Sequence, residues 1–224
     1  MLEYIYAMPT QPDLTLTLVY TDESLIVVNK PPGLLAVPGR GADKADCVSL
    51  RVQQYYNDAL VVHRLDQATS GLMLMARGVP MQRSLNLLFE TRKVHKTYVA
   101  VVHGLVALDE GRIDLPLAAD WPARPKQKVD GAFGKSAQTN FSVVSRNTHK
   151  NTTRLELQPI TGRTHQLRVH LCAIGHPIVG DGLYGSVALD KAMGATRLCL
   201  HAQRLTLLHP NSAHALDWTI DAAF

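Results

Sequence analysis

The order of the predicted strands and helices is the feature that most constrains the fold of this chain. Leu14 to Tyr20 alternates leucine and threonine, and this period of two predicts a strand. Further strands are predicted at 24–29, 72–76, 96–103, 138–145, 153–159, 198–208 and 215–220. Because strands outnumber helices and do not alternate with them in βαβ order, we expect an α+β fold with a mixed, mainly antiparallel sheet.

Three segments have a helical pattern. Residues 48–56 carry apolar side chains at helical spacing. Pro80 stands at the first helical position of a segment whose apolar face extends to Phe89. Residues 164–174 end at Gly175, the residue type that most often follows a helix. The polar segment DWPARPKQKV, at 120–129, predicts a loop or irregular arm.

The composition indicates a globular protein with a polyanionic partner. Apolar residues make up 46% of the 224 residues, and the net charge of +4 suits binding to nucleic acid. Three cysteines without a CxxC motif fit a reducing cytoplasm better than a disulfide scaffold. No run approaches the roughly 20 apolar residues that span a bilayer. We expect a cytoplasmic monomer without a membrane partner, with an N-terminal arm at 1–13 and one domain at 14–224.

The familiar cofactor and metal motifs are incomplete. Gly134, Lys135 and Ser136 match the end of a phosphate-binding loop, but Val129 stands where that loop needs its first glycine. His165 and His170 are five residues apart, a spacing that does not place both on one face of a helix, and no HExxH or CxxC accompanies them. The sequence therefore predicts neither a metal site nor a cofactor.

The segment HRLDQATSGLMLMA contains the first candidate site residue. Asp66 lies in a loop between an apolar pair, Val61 and Val62, and an apolar strand. A single aspartate is most often a cap or a surface charge, but loops between rigid elements are also where active sites concentrate. Gly71 allows the backbone to turn or to approach another segment closely. Both interpretations of the loop remain open from these residues alone.

Two other segments could complete a site. The segment TGRTHQLRVHLCAIGHP contains Arg163 and Arg168. It forms either a solvated basic face or an element whose arginine pairs with a buried carboxylate, which matches the planar guanidinium. Tyr98 is either a core residue of its strand or a pocket residue that offers a ring for stacking and a hydroxyl for proton transfer.

Five runs of the sequence, in this order, resemble the RluA family of pseudouridine synthases. They are VNKPPGLLAVPG, HRLDQATSGL, KTYVAVVHG, PITGRTHQLRVHLCAIGHPIVGDGLYG and LCLHAQRLTLLHP, and they cover most of the chain. The resemblance implies a catalytic domain whose mixed sheet forms two lobes with flanking helices and a cleft between the lobes. DWPARPKQKV is similar to the matching segment of short members that act on 23S ribosomal RNA and tRNA anticodon stem-loops. We do not expect the N-terminal S4 RNA-binding domain that many relatives carry.

The resemblance also assigns roles to residues, motif by motif. Asp66 resembles the catalytic aspartate, Tyr98 the tyrosine beneath the target base, and Arg168 the arginine that pairs with the aspartate. Leu200 is similar to the apolar residue that packs against the base. Arg64 resembles the residue that enters the base stack when the target uridine flips out.

Further side chains are candidates for RNA binding. We expect His63 and Arg163 to contact the substrate near the site. Basic residues that could neutralise backbone phosphates are Arg92, Lys93, Lys96, Arg124, Lys126 and Lys128.

The implied reaction breaks the N1–C1′ bond of uridine and joins C5 to C1′, without net oxidation or reduction. An ionised Asp66 could attack C1′, stabilise positive charge on the ribose, or remove the C2′ proton. We expect Arg168→Ala to lower the rate more than the stability. Two other classes remain open: a non-catalytic RNA-binding module, and a glycosidase or nucleotide hydrolase that uses Asp66 as nucleophile.

Overall fold

The computed structural model describes residues 16–41 and 44–224, and strands dominate this part of the chain. The strands are Thr17–Thr21 (β1), Leu25–Lys30 (β2), Ala59–Val61 (β3), Ser70–Arg77 (β4), His95–His103 (β5), Glu110–Asp114 (β6), Leu117–Ala119 (β7), Gln127–Val129 (β8), Gln138–Asn147 (β9), Thr152–Pro159 (β10), Leu200–Leu208 (β11) and Ala215–Thr219 (β12). The helices are Val48–Gln53 (α1), Gly78–Glu90 (α2), Gln166–Ala173 (α3) and Val187–Met193 (α4). The N-terminal arm expected at 1–13, and residues 14 and 15 of the first predicted strand, lie outside the described residues.

Ten of these strands form one sheet, and β7 and β8 form a separate hairpin. The sheet order is β1-β2-β4-β11-β5-β10-β9-β6, with β12 paired to β11 and β3 paired to β4. Among the strands named above, β4 and β11 are the one parallel pair, and the other pairs are antiparallel. The predicted α+β class with a mixed, mainly antiparallel sheet is confirmed.

The parallel pair joins the two halves of the sheet, which correspond to the two predicted lobes. One half, around β2 and β4, packs against α1 on one face and α2 on the other, and the second half, around β5 and β10, packs against α3. At the join, Gly71 pairs with Ala202, and a Cβ on Gly71 would lie 2.3 Å from the Ala202 carbonyl oxygen. Gly71 therefore permits the close approach that its sequence context suggested.

Several boundaries differ from the sequence-based prediction for identifiable reasons. Helix α2 begins at Gly78, so that Pro80 is its third residue, where the missing N–H still costs no intrahelical bond. Helix α3 begins at Gln166, because His165 adopts a left-handed conformation with φ 54°. Residues 127–129 of the predicted loop pair with β7 as a strand. No helix in the described residues is both long and apolar enough to cross a membrane.

Candidate active site

An open cleft of about 1140 Å³ lies where the two halves of the sheet meet. Its walls come from the loop between β3 and β4, from β5, from the loop that leads into α3, and from the start of β11. Asp66, Tyr98, Arg168 and Leu200 all line it, although they are up to 134 positions apart in the chain. The fold therefore brings together the four residues for which the resemblance implied catalytic or base-packing roles.

A buried lysine holds the loop that carries Asp66 in place. Lys30 is fully buried at the end of β2, and its Nζ donates to the carbonyl oxygens of Pro31, Leu34 and Gln67, at 2.7–2.9 Å. The Gly33 N–H donates to the same Gln67 carbonyl at 2.8 Å, so the residue after Asp66 is fixed twice. Burial lowers the pKa of Lys30 to about 8, against the opposing effect of the Asp66 carboxylate.

Arg168 gives its two-pronged contact to a residue that the sequence did not indicate. Its Nε and Nη2 donate to the two carboxylate oxygens of Asp181, at 2.8 Å and 2.7 Å. Only Nη1 reaches Asp66, at 3.3 Å from Oδ2. Arg168 pairs with Asp66 through one atom, and its planar fork holds the buried carboxylate of Asp181.

The two oxygens of the Asp66 carboxylate differ in their surroundings. Oδ2 faces Arg168 and also His165, whose Nε2 lies 3.8 Å away. Within residues 16–41 and 44–224, no hydrogen bond reaches Oδ1. The side chain of Asp66 is 27% exposed, and it lines the cleft. One oxygen is therefore oriented by cationic and polar groups, and the other is available to a bound molecule.

Tyr98 and Leu200 form the apolar floor of the cleft beside this carboxylate. Leu200 is buried at the start of β11 and belongs to a core cluster against which Tyr98 packs. Burial, and secondarily the charge of Asp66, raises the pKa of the Tyr98 hydroxyl well above its ordinary value. Tyr98 therefore stays protonated, and its ring provides a flat surface on which a base can stack.

His63 lines the cleft, where we expected a contact with substrate, and the structure also gives it a structural contact. Its Nε2 accepts a hydrogen bond from the Leu74 N–H at 2.9 Å, and its ring lies 4.9 Å from the ring of Phe89. Burial, with a smaller effect of Lys96, lowers the pKa of His63 to about 3. The ring is therefore neutral, with Nε2 already bonded to the backbone of β4.

The predicted RNA contacts fall into two groups. Arg64 and Arg163 are exposed at the cleft, and Arg163 Nε donates to the Ser136 carbonyl at 3.1 Å.

Arg92 and Lys96 also line the cleft, whereas Lys93 is exposed outside its wall. The other three lie on the hairpin formed by β7 and β8, away from the cleft wall: Arg124, Lys126 and Lys128.

The turn at 180–185 supplies residues that sequence reasoning missed. Asp181 holds Arg168, and Tyr184 holds His165 through a 2.7 Å hydrogen bond between the hydroxyl and Nδ1. The Arg168 guanidinium also lies 5.2 Å from the centroid of the Tyr184 ring. The sequence signal was the GDGLYG pattern, because three glycines in six residues indicate a turn that approaches other segments closely and so fixes the aspartate and the tyrosine between them.

No group of three or more side chains suited to hold a metal ion occurs in the described part of the chain. The chemistry that the cleft offers is that of a carboxylate, a buried guanidinium and a phenol. Such a set suits nucleophilic or acid–base chemistry on a neutral ring system that stacks on Tyr98.

Comparison with known proteins agrees with this geometry. Residues 24–173 match the family model for RNA pseudouridylate synthase. The chain is 51% identical over 206 residues to the dual-specificity RNA pseudouridine synthase RluA of Yersinia pestis, covering 92% of this chain and 98% of the relative. It is 48% identical over 219 residues to the protein of the same name from Escherichia coli K12, covering 98% of both. The chain therefore belongs to the RNA pseudouridylate synthase family, and it is an isomerase that converts uridine in RNA to pseudouridine.

Solved structures show the same fold. Human RNA pseudouridylate synthase domain containing 1 superposes with a TM-score of 0.77 at 26% identity, covering 97% of this chain and 87% of that one. Human RNA pseudouridylate synthase domain containing 4 gives a TM-score of 0.72 at 28% identity, covering 92% and 88%. The predicted pseudouridine synthase fold is thereby confirmed.

Proposed function

We propose that this isomerase acts on uridines of both 23S ribosomal RNA and tRNA anticodon stem-loops, with Asp66 as the reacting group and without a cofactor. The observation that carries the proposal is the asymmetry of the Asp66 carboxylate. Oδ2 is oriented by Arg168, whereas Oδ1 receives no hydrogen bond from the described residues, and Asp66 lines the cleft together with Tyr98. The double substrate range is supported by the names of the bacterial relatives and by the basic hairpin that follows β7.

In this mechanism Oδ1 of Asp66 starts the reaction at the sugar. It attacks C1′, or removes the C2′ proton, and in either route the N1–C1′ bond breaks. The detached uracil stays on the floor formed by Tyr98 and Leu200, turns, and forms the new bond from C5 to C1′. As this bond forms, the bond from Oδ1 to C1′ breaks, or, in the second route, Asp66 returns the proton to C2′. The proton on C5 is lost as N1 gains one, so the RNA keeps its composition.

The target uridine must leave its stack before C1′ is accessible, at a cost of a few kcal/mol. Stacking on Tyr98 contributes roughly 1–3 kcal/mol and can offset much of this cost. Arg64 is exposed at the cleft, and in this proposal it fills the space that the base vacates. Arg163, Arg92 and Lys96 would meet the flanking backbone.

The hairpin gives a second set of RNA contacts. Lys128 and Arg124 are exposed, Lys126 lies between them, and Arg124 stacks 3.3 Å from the centroid of the exposed Trp121 ring. We expect Lys126→Ala with Lys128→Ala to reduce the salt dependence of RNA binding, because each phosphate contact releases counterions. The matched control is Lys150→Ala with Lys191→Ala, two exposed lysines on other parts of the surface. Equal salt slopes for the two double variants would remove the hairpin from the binding surface.

Three outcomes separate the classes that the sequence left open. The protein is incubated with tRNA and ribosomal RNA from a strain that lacks it, and new pseudouridines are mapped by carbodiimide modification and primer extension. An isomerase adds pseudouridine stops and leaves the RNA mass unchanged. Release of free uracil would identify a hydrolase, and bound but unmodified RNA would identify a binding module. Modification of only one RNA class would contradict the double range.

We further propose that the chain works as a cytoplasmic monomer with a single catalytic domain over 14–224. Support comes from the three cysteines, Cys47, Cys172 and Cys199, all of which are free thiols in the structure. The continuous sheet from β1 to β12 supports the single domain.

A further inference from the structure

A continuous chain of polar contacts joins the hairpin to the catalytic carboxylate. The backbone N–H of Gln127, the first residue of β8, donates to the Tyr184 hydroxyl at 2.7 Å. The same hydroxyl lies 2.7 Å from Nδ1 of His165. On the other edge of this imidazole, Nε2 lies 3.8 Å from Oδ2 of Asp66.

The directions of these contacts favour one tautomer of His165. The Tyr184 hydroxyl accepts from Gln127, so its own proton is satisfied when it donates to His165 Nδ1. An imidazole that accepts at Nδ1 and is neutral carries its proton on Nε2, the atom that faces Asp66. Burial lowers the pKa of His165 although Asp66 opposes this, so the neutral form is favoured. The structure therefore directs an N–H of His165 toward Oδ2.

The backbone at His165 adds an independent observation. His165 has φ 54°, a left-handed conformation that is uncommon for residues other than glycine and that concentrates at functional sites. This conformation ends the loop 160–164 and places the imidazole against Tyr184, edge to face, with ring centroids 5.7 Å apart. Its side chain is only 11% exposed. The strain is thus associated with a defined position of the ring between Tyr184 and Asp66.

We propose that His165 is a positioning residue that couples the hairpin to Asp66, so that RNA held by the hairpin fixes the reactive orientation of the carboxylate. The proposal rests on the function proposed above. Gln127 lies between Lys126 and Lys128, and movement of β8 would therefore be transmitted through Tyr184 to the imidazole. Arg168 and His165 both face Oδ2, and in this proposal Oδ1 is left to react at the ribose.

The test removes the central hydroxyl and keeps its ring. Tyr184→Phe retains the surface that Arg168 covers but leaves His165 Nδ1 without its donor. We expect the single-turnover rate to fall about tenfold, the scale of one hydrogen bond, with RNA affinity within twofold of wild type. Tyr56→Phe is the matched control, because Arg77 lies 5.3 Å from that ring, as Arg168 lies 5.2 Å from Tyr184, and Tyr56 is not part of the cleft wall. The control should keep the wild-type rate.

A second pair of variants tests the imidazole directly. His165→Ala and His165→Gln both carry a Cβ and so share the backbone strain, but the glutamine amide can still donate toward Asp66. We expect His165→Gln to react at least threefold faster than His165→Ala. A role in folding alone would not give this difference. Nitrogen-15 NMR of the free protein should show the Nε2-protonated tautomer for His165 in wild type, and a changed signal in Tyr184→Phe.

The outcomes separate this proposal from the proposed function. If wild type forms pseudouridine and Tyr184→Phe reacts at the wild-type rate, the coupling is wrong and the function stands. A His165 signal of the Nδ1-protonated form would also overturn the coupling. If wild type forms no pseudouridine in either RNA, the proposed function fails, and the NMR result alone then decides whether the polar chain exists.

Discussion

Two carboxylates share Arg168, and they are held in very different ways. The Asp181 side chain is fully buried, takes two short hydrogen bonds from the guanidinium, and accepts further bonds from the N–H groups of Leu183 and Tyr184. Burial alone would raise its pKa, but the Arg168 bonds and these N–H groups lower it overall. Asp66 is 27% exposed and has one longer contact with the same guanidinium. The buried carboxylate of Asp181 holds the guanidinium in place, and the partly exposed carboxylate of Asp66 makes one contact with it.

In the proposed mechanism, this difference keeps the Asp66 carboxylate available to react. A carboxylate with all its lone pairs satisfied by protein donors is stable but has little left for a substrate. Asp66 avoids this, because Asp181 takes the two strongest donors of Arg168. The cationic charge near Asp66 is therefore fixed in place before RNA binds, which is the arrangement that favours catalysis.

The largest expected effect on stability comes from the buried partner. Asp181→Ala leaves Arg168 without its main counter-charge, and breaking such a buried pair costs about 3–5 kcal/mol. Asp217→Ala is the control, since Asp217 and Arg204 form a two-pronged pair on the surface, where about half of each side chain is exposed. We expect the control to lose no more than about 1 kcal/mol in chemical denaturation. Equal losses would show that Asp181 has no special structural role.

Substitution of Arg168 should lower both the stability of the protein and the rate of the reaction. The sequence suggested that Arg168→Ala lowers the rate more than the stability, but the structure changes this expectation, because Asp181 would remain buried and unpaired. Arg168→Lys keeps a charge that can pair with Asp181 but cannot also hold Asp66 in place. We expect its rate to fall about 100-fold, the effect of misplacing a reacting group by about 1 Å. A wild-type single-turnover rate for Arg168→Lys would contradict the three-way contact.

The smallest expected effect tests whether His63 supports the catalytic loop rather than the substrate. The unfolded chain binds a proton at His63 below pH 6.5, but the folded protein does not until about pH 3. Its contribution to stability is therefore complete above pH 6.5 and is lost as the pH falls toward 3, by at most about 1.4 kcal/mol per pH unit.

His63→Gln can still accept from the Leu74 N–H but does not titrate. Denaturation at pH 7.5 and at pH 5.5 should show a smaller acid loss for this variant than for wild type. Other buried histidines, such as His170 and His201, titrate alike in both proteins, so the difference isolates His63. If the loss of stability between pH 7.5 and pH 5.5 is the same in His63→Gln as in wild type, and the KM for RNA is raised, His63 acts in substrate binding instead.

The sequence was sufficient for the central strands and for the residues at the cleft. β2, β4 and β5 contain apolar runs, and β11 alternates apolar and polar residues over much of its length, so their pattern alone predicts them. β3 and β6 to β8 were missed, because strands of three to five residues are too short to show such a pattern. The short helix α4 has no buried residue and was missed for the same reason.

The details of the site depended on contacts that no local pattern encodes. Nothing near Arg168 shows that its main partner is Asp181, 13 residues later, or that Tyr184 reaches back to His165. His63 was expected to contact substrate. It lines the cleft, but its Nε2 accepts a hydrogen bond from the Leu74 N–H of β4, a contact that no local pattern indicates. The family resemblance indicated which residues line the cleft, and the tertiary fold decided which atoms touch.

The most direct measurement compares Asp66→Asn with Asp181→Asn in two assays, thermal unfolding and single-turnover pseudouridine formation on one tRNA stem-loop. We expect Asp66→Asn to unfold within a degree or two of wild type and to lose at least about a thousandfold in rate, as for a removed nucleophile. Asp181→Asn should unfold several degrees lower. If Asp66→Asn still forms pseudouridine at a rate near wild type, Asp66 is not the reacting group. If it loses as much stability as Asp181→Asn, the division between a structural and a reactive carboxylate is wrong.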